Sequence, residues 1–476
     1  MGALPDRFGL ALDRRLRRFV GGTVLAGGHP GRIVTLTAAG AAALDARVGR
    51  GPAGPVPGDA ATAALAGRLV ASGMAHPRRP VPDPGSAAPA VTVVVPAFDR
   101  PGALDRCLAS LGTDHPVVVV DDGSRDPAPV AAVCAARGAL LLRRDRNGGP
   151  GAARDAALAM VDTELVAFVD SDCTPGPGWL EALTWHFVDP GVGAVAPRVV
   201  CAPPPDGSRR RVIDRYHASR SPLDLGRDEG EVGPDRAVRY VPTAALVVRR
   251  SALVDVGGFA PGMRVGEDVD LVWRLVGAGW RVRYEPTVTV GHDEPRRWGD
   301  ALARRFRYGT SAGPLAARHP GRLAPVDLRP WPTAVAVAAL AGRPRAALAA
   351  LACATLVLDR SVRPFGIPPR QAWTWSTQGA GWTLVGMGRA ATMLAGPGLV
   401  GLAARGPRGA RAVLALVLVP PVVEWVRRRP DLDLPRWLAA SVADDLAYGA
   451  GVWTGCVRSG SYGPLLPAVR RPPVES

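Results

Sequence analysis

From Val91 onward the chain alternates short, β-branched apolar runs with Ala-rich stretches whose apolar residues recur at helical spacing. The runs are VTVVVP (91–96), VVVVDD (117–122), ALLLRR (139–144), LVAFVDSD (165–172) and GAVAPRVV (193–200). Between them lie RPGALDRCLASLG, PVAAVCAARG and GPGAARDAALAMV. Strands that are apolar on both faces and joined by crossover helices predict a mainly parallel α/β sheet with flanking helices. Ligands of such sheets sit at the carboxyl ends of the strands. Asp99, Asp121, Asp122, Asp170 and Asp172 all fall there.

The pattern is different on either side of this block. Residues from about 8 to 80 read as a small mixed module. It contains a Gly-rich apolar run, a short strand RIVT, Thr37 as a helix N-cap and two Ala-rich helices. The segment VPDPGSAAPA (81–90) has linker composition. The expected organisation is therefore a small domain over 1–88, the sheet domain over 89–315 and a helical, Ala- and Arg-rich region over 316–476. In that last region every apolar stretch is short or broken, by Arg343 and Arg345, by Arg389, or by the Pro pair after Val419. A span needs about 20 apolar residues, so buried or membrane-surface helices compete evenly with imperfect spans.

Composition narrows the partners. The chain has 476 residues, 47% of them hydrophobic, and a net charge of +16. All 58 basic residues are Arg, with no Lys and a single Asn, Asn147. Such usage follows from a GC-rich coding sequence, and the arginines are scattered outside any nucleic-acid-binding module, so nucleic acid is not expected as a partner. An anionic membrane surface or a nucleotide suits the charge better. The six cysteines form no CxxC pair, which argues against a zinc knuckle or disulfide framework. Charges interrupt the first 20 residues, so no signal-peptide core is evident, and the expected location is the cytoplasm or the cytoplasmic face of the membrane.

Four segments carry candidate chemistry. In FVDSDCTP (168–175), Asp170 and Asp172 follow an apolar strand at period two, which would point both carboxylates to one side. Two such groups suit a hard cation, Mg²⁺ or Mn²⁺; a capped turn is the plainer reading. VVVVDDGSRD (117–126) ends a strand on Asp121 and Asp122, either contacts for a base and ribose or an Asx turn. NGGPGAARDAA (147–157) runs a Gly-rich turn into a helix carrying Arg154, and free N–H groups there would face a diphosphate. In GEDVDLVWRL (266–275), Glu267 and Asp268 lie in a helix's first turn. They complement the helix dipole there, or one is a general base with Asp268 preferred and Glu267 supporting.

VVVPAFDRP, VVDDGS, NGGPGAAR, VDSDCTP, VVRRSALVDVGGF and GEDVDLVWRL, in this order, resemble the inverting family 2 glycosyltransferases of GT-A fold over about residues 90–310. The resemblance implies that Pro96, Asp99, Arg100, Asp121, Asp122, Asn147, Arg154 and Asp170 bind the nucleotide-sugar donor. It further implies that Asp170 and Asp172 form a DxD element holding metal and diphosphate, and that Asp268 deprotonates the acceptor. His292 is a candidate third metal ligand, or a satisfied loop residue. RRFRYGTSAG (304–313) would either fold over the diphosphate or form an amphipathic helix with a solvated basic face. A QxxRW motif is lacking, which argues against long-polymer synthesis. The layout of small leading module, catalytic domain and Arg-rich tail resembles the glycosyltransferases of mycofactocin systems. That implies a UDP-sugar donor, with UDP-glucose the expected one, and a peptide-derived mycofactocin precursor as acceptor. The leading module is similar to winged-helix peptide-recognition domains. A lipid or cell-wall glycan acceptor is the alternative, and a binding module without turnover a third reading.

Overall fold

The structure is a computed structural model that describes residues 8–48, 60–79, 89–204 and 207–469. Most of the sequence-predicted linker, and the first seven residues, lie outside these. The chain forms two compact units, Met1–Ser208 with Ser221–Asp293, and Arg209–Arg220 with Glu294–Ser476.

The first unit is built on a nine-stranded sheet. Its centre follows directly from the apolar runs: strand Val91–Ala97 is buried at all seven positions and lies between Val117–Asp121 and Leu165–Val169, parallel to both. Leu140–Arg143 extends the parallel half outward. Beyond Leu165–Val169 the sheet becomes mixed. Ala245–Arg249 runs antiparallel to it and to Val192–Cys201, which then pairs in parallel with the long strand Arg281–His292. Cys173–Pro175 and Gly230–Val232 close that edge antiparallel. The expected α/β sheet is thus present, with an antiparallel strand at its middle that the run of parallel strands did not foretell.

Helices Pro101–Leu111, Ala128–Arg137 and Pro150–Leu158 are the crossovers between the parallel strands. They bury Leu104, Cys107, Leu108, Val130 and Cys134 against Val93, Val95 and Val119 in one continuous apolar core. The small leading module has its own core around Leu25, Leu44, Leu69 and Met74. Thr37 caps helix Ala38–Arg47 by accepting the Gly40 N–H at 3.0 Å, as its position before the Ala run predicts. Arg78 makes a two-pronged ion pair with Glu229, at 2.8 and 2.6 Å.

The second unit is helical. Trp298–Thr310 and Ala312–Arg318 pack on the long helix Leu434–Ser459. Glycine makes that crossing possible. A Cβ on Gly451 would sit 2.0 Å from the Phe306 carbonyl oxygen, and one on Gly309 2.2 Å from that of Tyr448. The RRFRYGTSAG segment is largely helical, and two of its arginines are engaged within the unit rather than solvated. Arg304 is ion-paired with Glu294, and Arg305 with Asp444 at 2.8 Å, its guanidinium over the Tyr448 ring. The remaining helices are Pro330–Leu340, Pro344–Val362, Pro369–Leu394, Gly396–Ala403 and Pro407–Arg428. Among the described residues only Pro407–Arg428 is long and apolar enough to cross a membrane by length and composition.

Candidate active site

Every sequence-predicted polar candidate lies at the carboxyl edge of the sheet or on a helix start facing it, but several hold one another rather than standing open. Asp121 is fully buried: it accepts the Ser124 N–H at 2.9 Å and is ion-paired with Arg143. Asp122 accepts the N–H groups of Gly148 and Gly149, at 3.0 and 2.8 Å, and is ion-paired with Arg144. The Gly-rich turn therefore gives its two glycine N–H groups to Asp122, where free donors for a diphosphate were expected. Asn147 is held outside that turn by Arg264, whose guanidinium donates to the Asn147 carbonyl at 2.9 Å.

Asp99 adopts a left-handed conformation, φ 52°, one of the few that a short polar side chain tolerates. Its own N–H donates to Ser124 Oγ at 3.0 Å, and its carboxylate accepts the Arg125 N–H at 2.8 Å. Pro96 is buried within the central strand. Ser124, Arg143 and Arg144 were not singled out from sequence, although ALLLRR places two charges at the end of an apolar strand that pairs with Val117–Asp121 and sets Arg143 opposite Asp121.

Asp170 and Asp172 are not placed by strand alternation. The strand ends at Val169, and Asp170, Ser171 and Asp172 form the turn into Cys173–Pro175. The two carboxylates consequently diverge. Asp170 meets Arg154 at 2.5 Å, whereas Asp172 faces Arg100 at 3.1 Å and His292 Nε2 at 3.7 Å. His292 reaches Asp172 because it stands opposite Cys173 in the antiparallel pairing. Among the described residues no group of three or more His, Cys, Asp or Glu is gathered as a metal cage; of the trio Asp170, Asp172 and His292, the last two face each other while Asp170 is engaged by Arg154.

Arg154 is the hub. Its side chain is 1% exposed, and while Nη2 holds Asp170, Nη1 donates to Glu267 Oε1 at 3.3 Å. The expected diphosphate fork is thus a buried brace between the turn at 170–172 and the start of helix Glu267–Gly277. Gly266 enters that helix with φ 82°, a left-handed turn that suits glycine. Asp268, next to the braced Glu267, forms no ion pair among the described residues, and its carboxylate accepts only the Val269 N–H at 2.8 Å. Burial pushes both carboxyls up from the usual range, with the neighbouring carboxylate adding to the rise at Glu267 and the Arg154 charge opposing it. A carboxyl so raised is poised as a proton acceptor nearer neutral pH.

A doubly faced α/β sheet with acidic groups at its carboxyl edge, an acidic turn after the fourth parallel-half strand and an acidic helix start braced to it define a glycosyltransferase of GT-A fold. The model of Glycosyl transferase family 2 matches residues 92–257. The Pre-mycofactocin glycosyltransferase of Mycobacterium tuberculosis is 39% identical over 98% of this chain and 99% of its own length. An N-acetylglucosaminyl-diphospho-decaprenol L-rhamnosyltransferase of the same organism is 32% identical over 48% of this chain and 86% of its own length. Among solved structures, the mannosyltransferase PcManGT from Pyrobaculum calidifontis is 25% identical, covering 63% of this chain and 86% of that one with a TM-score of 0.37. The chain belongs to the family of the pre-mycofactocin glycosyltransferases.

Proposed function

We propose that this protein transfers a hexose, glucose, from a UDP-sugar to a peptide-derived mycofactocin precursor with inversion at the anomeric carbon. The observation that carries the reading is the Arg154 brace. One buried guanidinium ties Asp170, on the donor side, to Glu267, and so holds Asp268 beside the donor site. Asp268 removes the acceptor hydroxyl proton as that oxygen attacks. A single displacement with the base on one face and the leaving diphosphate on the other inverts the sugar carbon.

The donor rests on the sheet edge, with Asp99 and Arg100 nearest the surface of the nucleotide site, Pro96 in the strand beneath them, and Asp121 and Asp122 shaping its floor through the turns they pin. Asp172 and His292 would hold Mg²⁺ or Mn²⁺, which would supply charge neutralisation at the departing diphosphate. Arg154 pairs with Asp170 and so fixes the 170–172 turn. The small leading module is the natural site for recognising the peptide-derived part of the acceptor.

The test is UDP release and product formation from UDP-glucose with the peptide-derived acceptor, with and without Mn²⁺ or Mg²⁺. Asp268→Asn is expected to lower kcat by about 10²- to 10⁴-fold, the usual contribution of a general base, with donor binding retained. Asp172→Ala is expected to abolish metal-dependent turnover. An Asp268→Asn enzyme as active as wild type would remove the assigned base, and turnover confined to polyprenyl-linked acceptors would replace the peptide-derived acceptor with a lipid one.

A further inference from the structure

The helices of the second unit break the rule that apolar surface is hidden. Pro330–Leu340 is apolar on nearly every side yet buries only Ala336, Gly396–Ala403 buries nothing, and Pro344–Val362 buries only Asp359 and Val362. Leu348, Leu356, Val400 and Leu414 are each more than half exposed. A helix that is apolar all round belongs in a protein core or in lipid, and apolar patches this extensive mark an interaction surface.

Three observations choose the occupant. First, the charge around these helices has one sign. From Pro330 to Arg428 there are eleven Arg and two acidic residues, Asp359 and Glu424. Both acids are consumed within the unit, Asp359 by Arg363 and Glu424 by Arg428, each at 2.8 Å. A second copy docked through this face would set arginine against arginine, whereas anionic headgroups complement it. Second, Trp331, Trp373, Trp382 and Trp453 are roughly half exposed, and Arg427 lies over the Trp382 ring at 4.5 Å. An indole paired with a guanidinium is the chemistry of the headgroup level.

Third, no uncharged length is both long and apolar enough to cross: the longest, Gln371 to Gly388 in Pro369–Leu394, is about 27 Å at 1.5 Å per residue but carries Gln371, Ser376, Gln378 and three threonines. In Pro407–Arg428 the stretch free of charge is Ala412 to Val423, between Arg411 and Glu424. At 1.5 Å per residue it is about 18 Å long, against about 30 Å of hydrocarbon. In Pro344–Val362 the stretch between Arg345 and Asp359 is about 20 Å by the same rise. Short apolar segments bounded by exposed arginines lie in the plane of one leaflet.

We infer that the helical unit is a monotopic membrane anchor: it seats its apolar helices in one leaflet of a bilayer containing anionic phospholipid, with the arginines at the headgroups. The test is flotation of the full-length protein with phosphatidylcholine vesicles, with and without phosphatidylglycerol. The expected result is capture by the phosphatidylglycerol vesicles that weakens as salt is raised. Leu348→Glu/Leu356→Glu, two exposed positions whose change leaves the helical circular dichroism intact, is expected to reduce capture at least tenfold. Lipids brominated near the headgroup should quench tryptophan emission more than lipids brominated at the chain end. The inference is overturned by failure to float on anionic vesicles, by a double-Glu variant that floats like wild type, or by stronger quenching from the chain end. It is equally overturned if the wild type forms a lipid-free dimer that the double-Glu variant dissolves, since the second copy would then be the occupant.

Discussion

The two units of this chain sort their residues in opposite ways. The sheet unit buries every position of its central strand and sends its carboxylates to the strand ends, where backbone N–H groups and arginines receive them. The helical unit buries Asp444, Asp445, Arg220 and Ser441 and leaves leucines and tryptophans outside. The sheet unit is ordered for water on all sides, and the helical unit for a surrounding that is partly apolar. Each also holds a large buried arginine, and those two arginines turn the contrast into numbers.

Arg220, in the helical unit, is fully engaged. It donates to Asp445 at 2.7 Å and to the Tyr216 hydroxyl at 3.3 Å, with Glu424 at 3.4 Å. Although burial opposes its charge, these partners hold its pKa above the ordinary arginine value. Arg220→Met would leave two buried carboxylates short of their cation, so it is expected to destabilise the unit by about 3 kcal/mol. The midpoint of denaturant unfolding followed by helical circular dichroism measures this, and an unchanged midpoint would mean that the inner charges of this unit contribute nothing to its fold.

Arg283, in the sheet unit, is the reverse case. It is 3% exposed, and none of its three guanidinium nitrogens has a hydrogen-bond partner among the described residues. Glu229, Glu231 and Glu285 surround it, yet each has another partner: Arg78, Arg236 at 3.4 Å and His186 at 3.1 Å. Burial, only partly offset by those carboxylates, lowers its pKa. A desolvated cation without direct bonds is a net cost, so Arg283→Met is expected to stabilise by about 1–3 kcal/mol. The same substitution at two buried arginines thus has opposite signs, and a fall in the unfolding midpoint for Arg283→Met would erase the distinction.

The sequence discloses these two units unequally, for a physical reason. Period-two and period-3.6 patterns report local burial, so the strands at 91–97, 117–121 and 165–169, their crossover helices and the Thr37 cap are all legible. Ala245–Arg249 looks like its neighbours, and its antiparallel direction depends on chain connectivity that no local pattern encodes. In the site, the acidic positions are visible because Asp and Glu at strand ends and helix starts are chemically conspicuous. Their pairing is not. That Gly148 and Gly149 serve Asp122, or that Arg154 braces Asp170 to Glu267, rests on contacts between segments 16 to 113 residues apart. In the helical unit the apolar stretches are equally plain, but composition cannot say whether they face protein, water or lipid.

The finest test concerns Asp268, where the sheet unit keeps a half-buried carboxyl without an ion pair among the described residues. Burial raises its pKa above the usual carboxylate value near 3.9, and a base must be deprotonated to act. The acid limb of kcat/KM should therefore lie well above that value, near pH 6. Stability moves the other way. A carboxyl whose folded pKa is raised adds stability that is complete below the unfolded pKa and is lost as pH rises through the folded one. Asp268→Asn, which cannot ionise, should melt above wild type at pH 8 and converge with it near pH 4, while losing activity at both. A variant that melts below wild type at pH 8 would mean that the ionised carboxylate is a structural member of the Arg154 brace, like Glu267, and the proton acceptor would have to be sought elsewhere on the sheet edge.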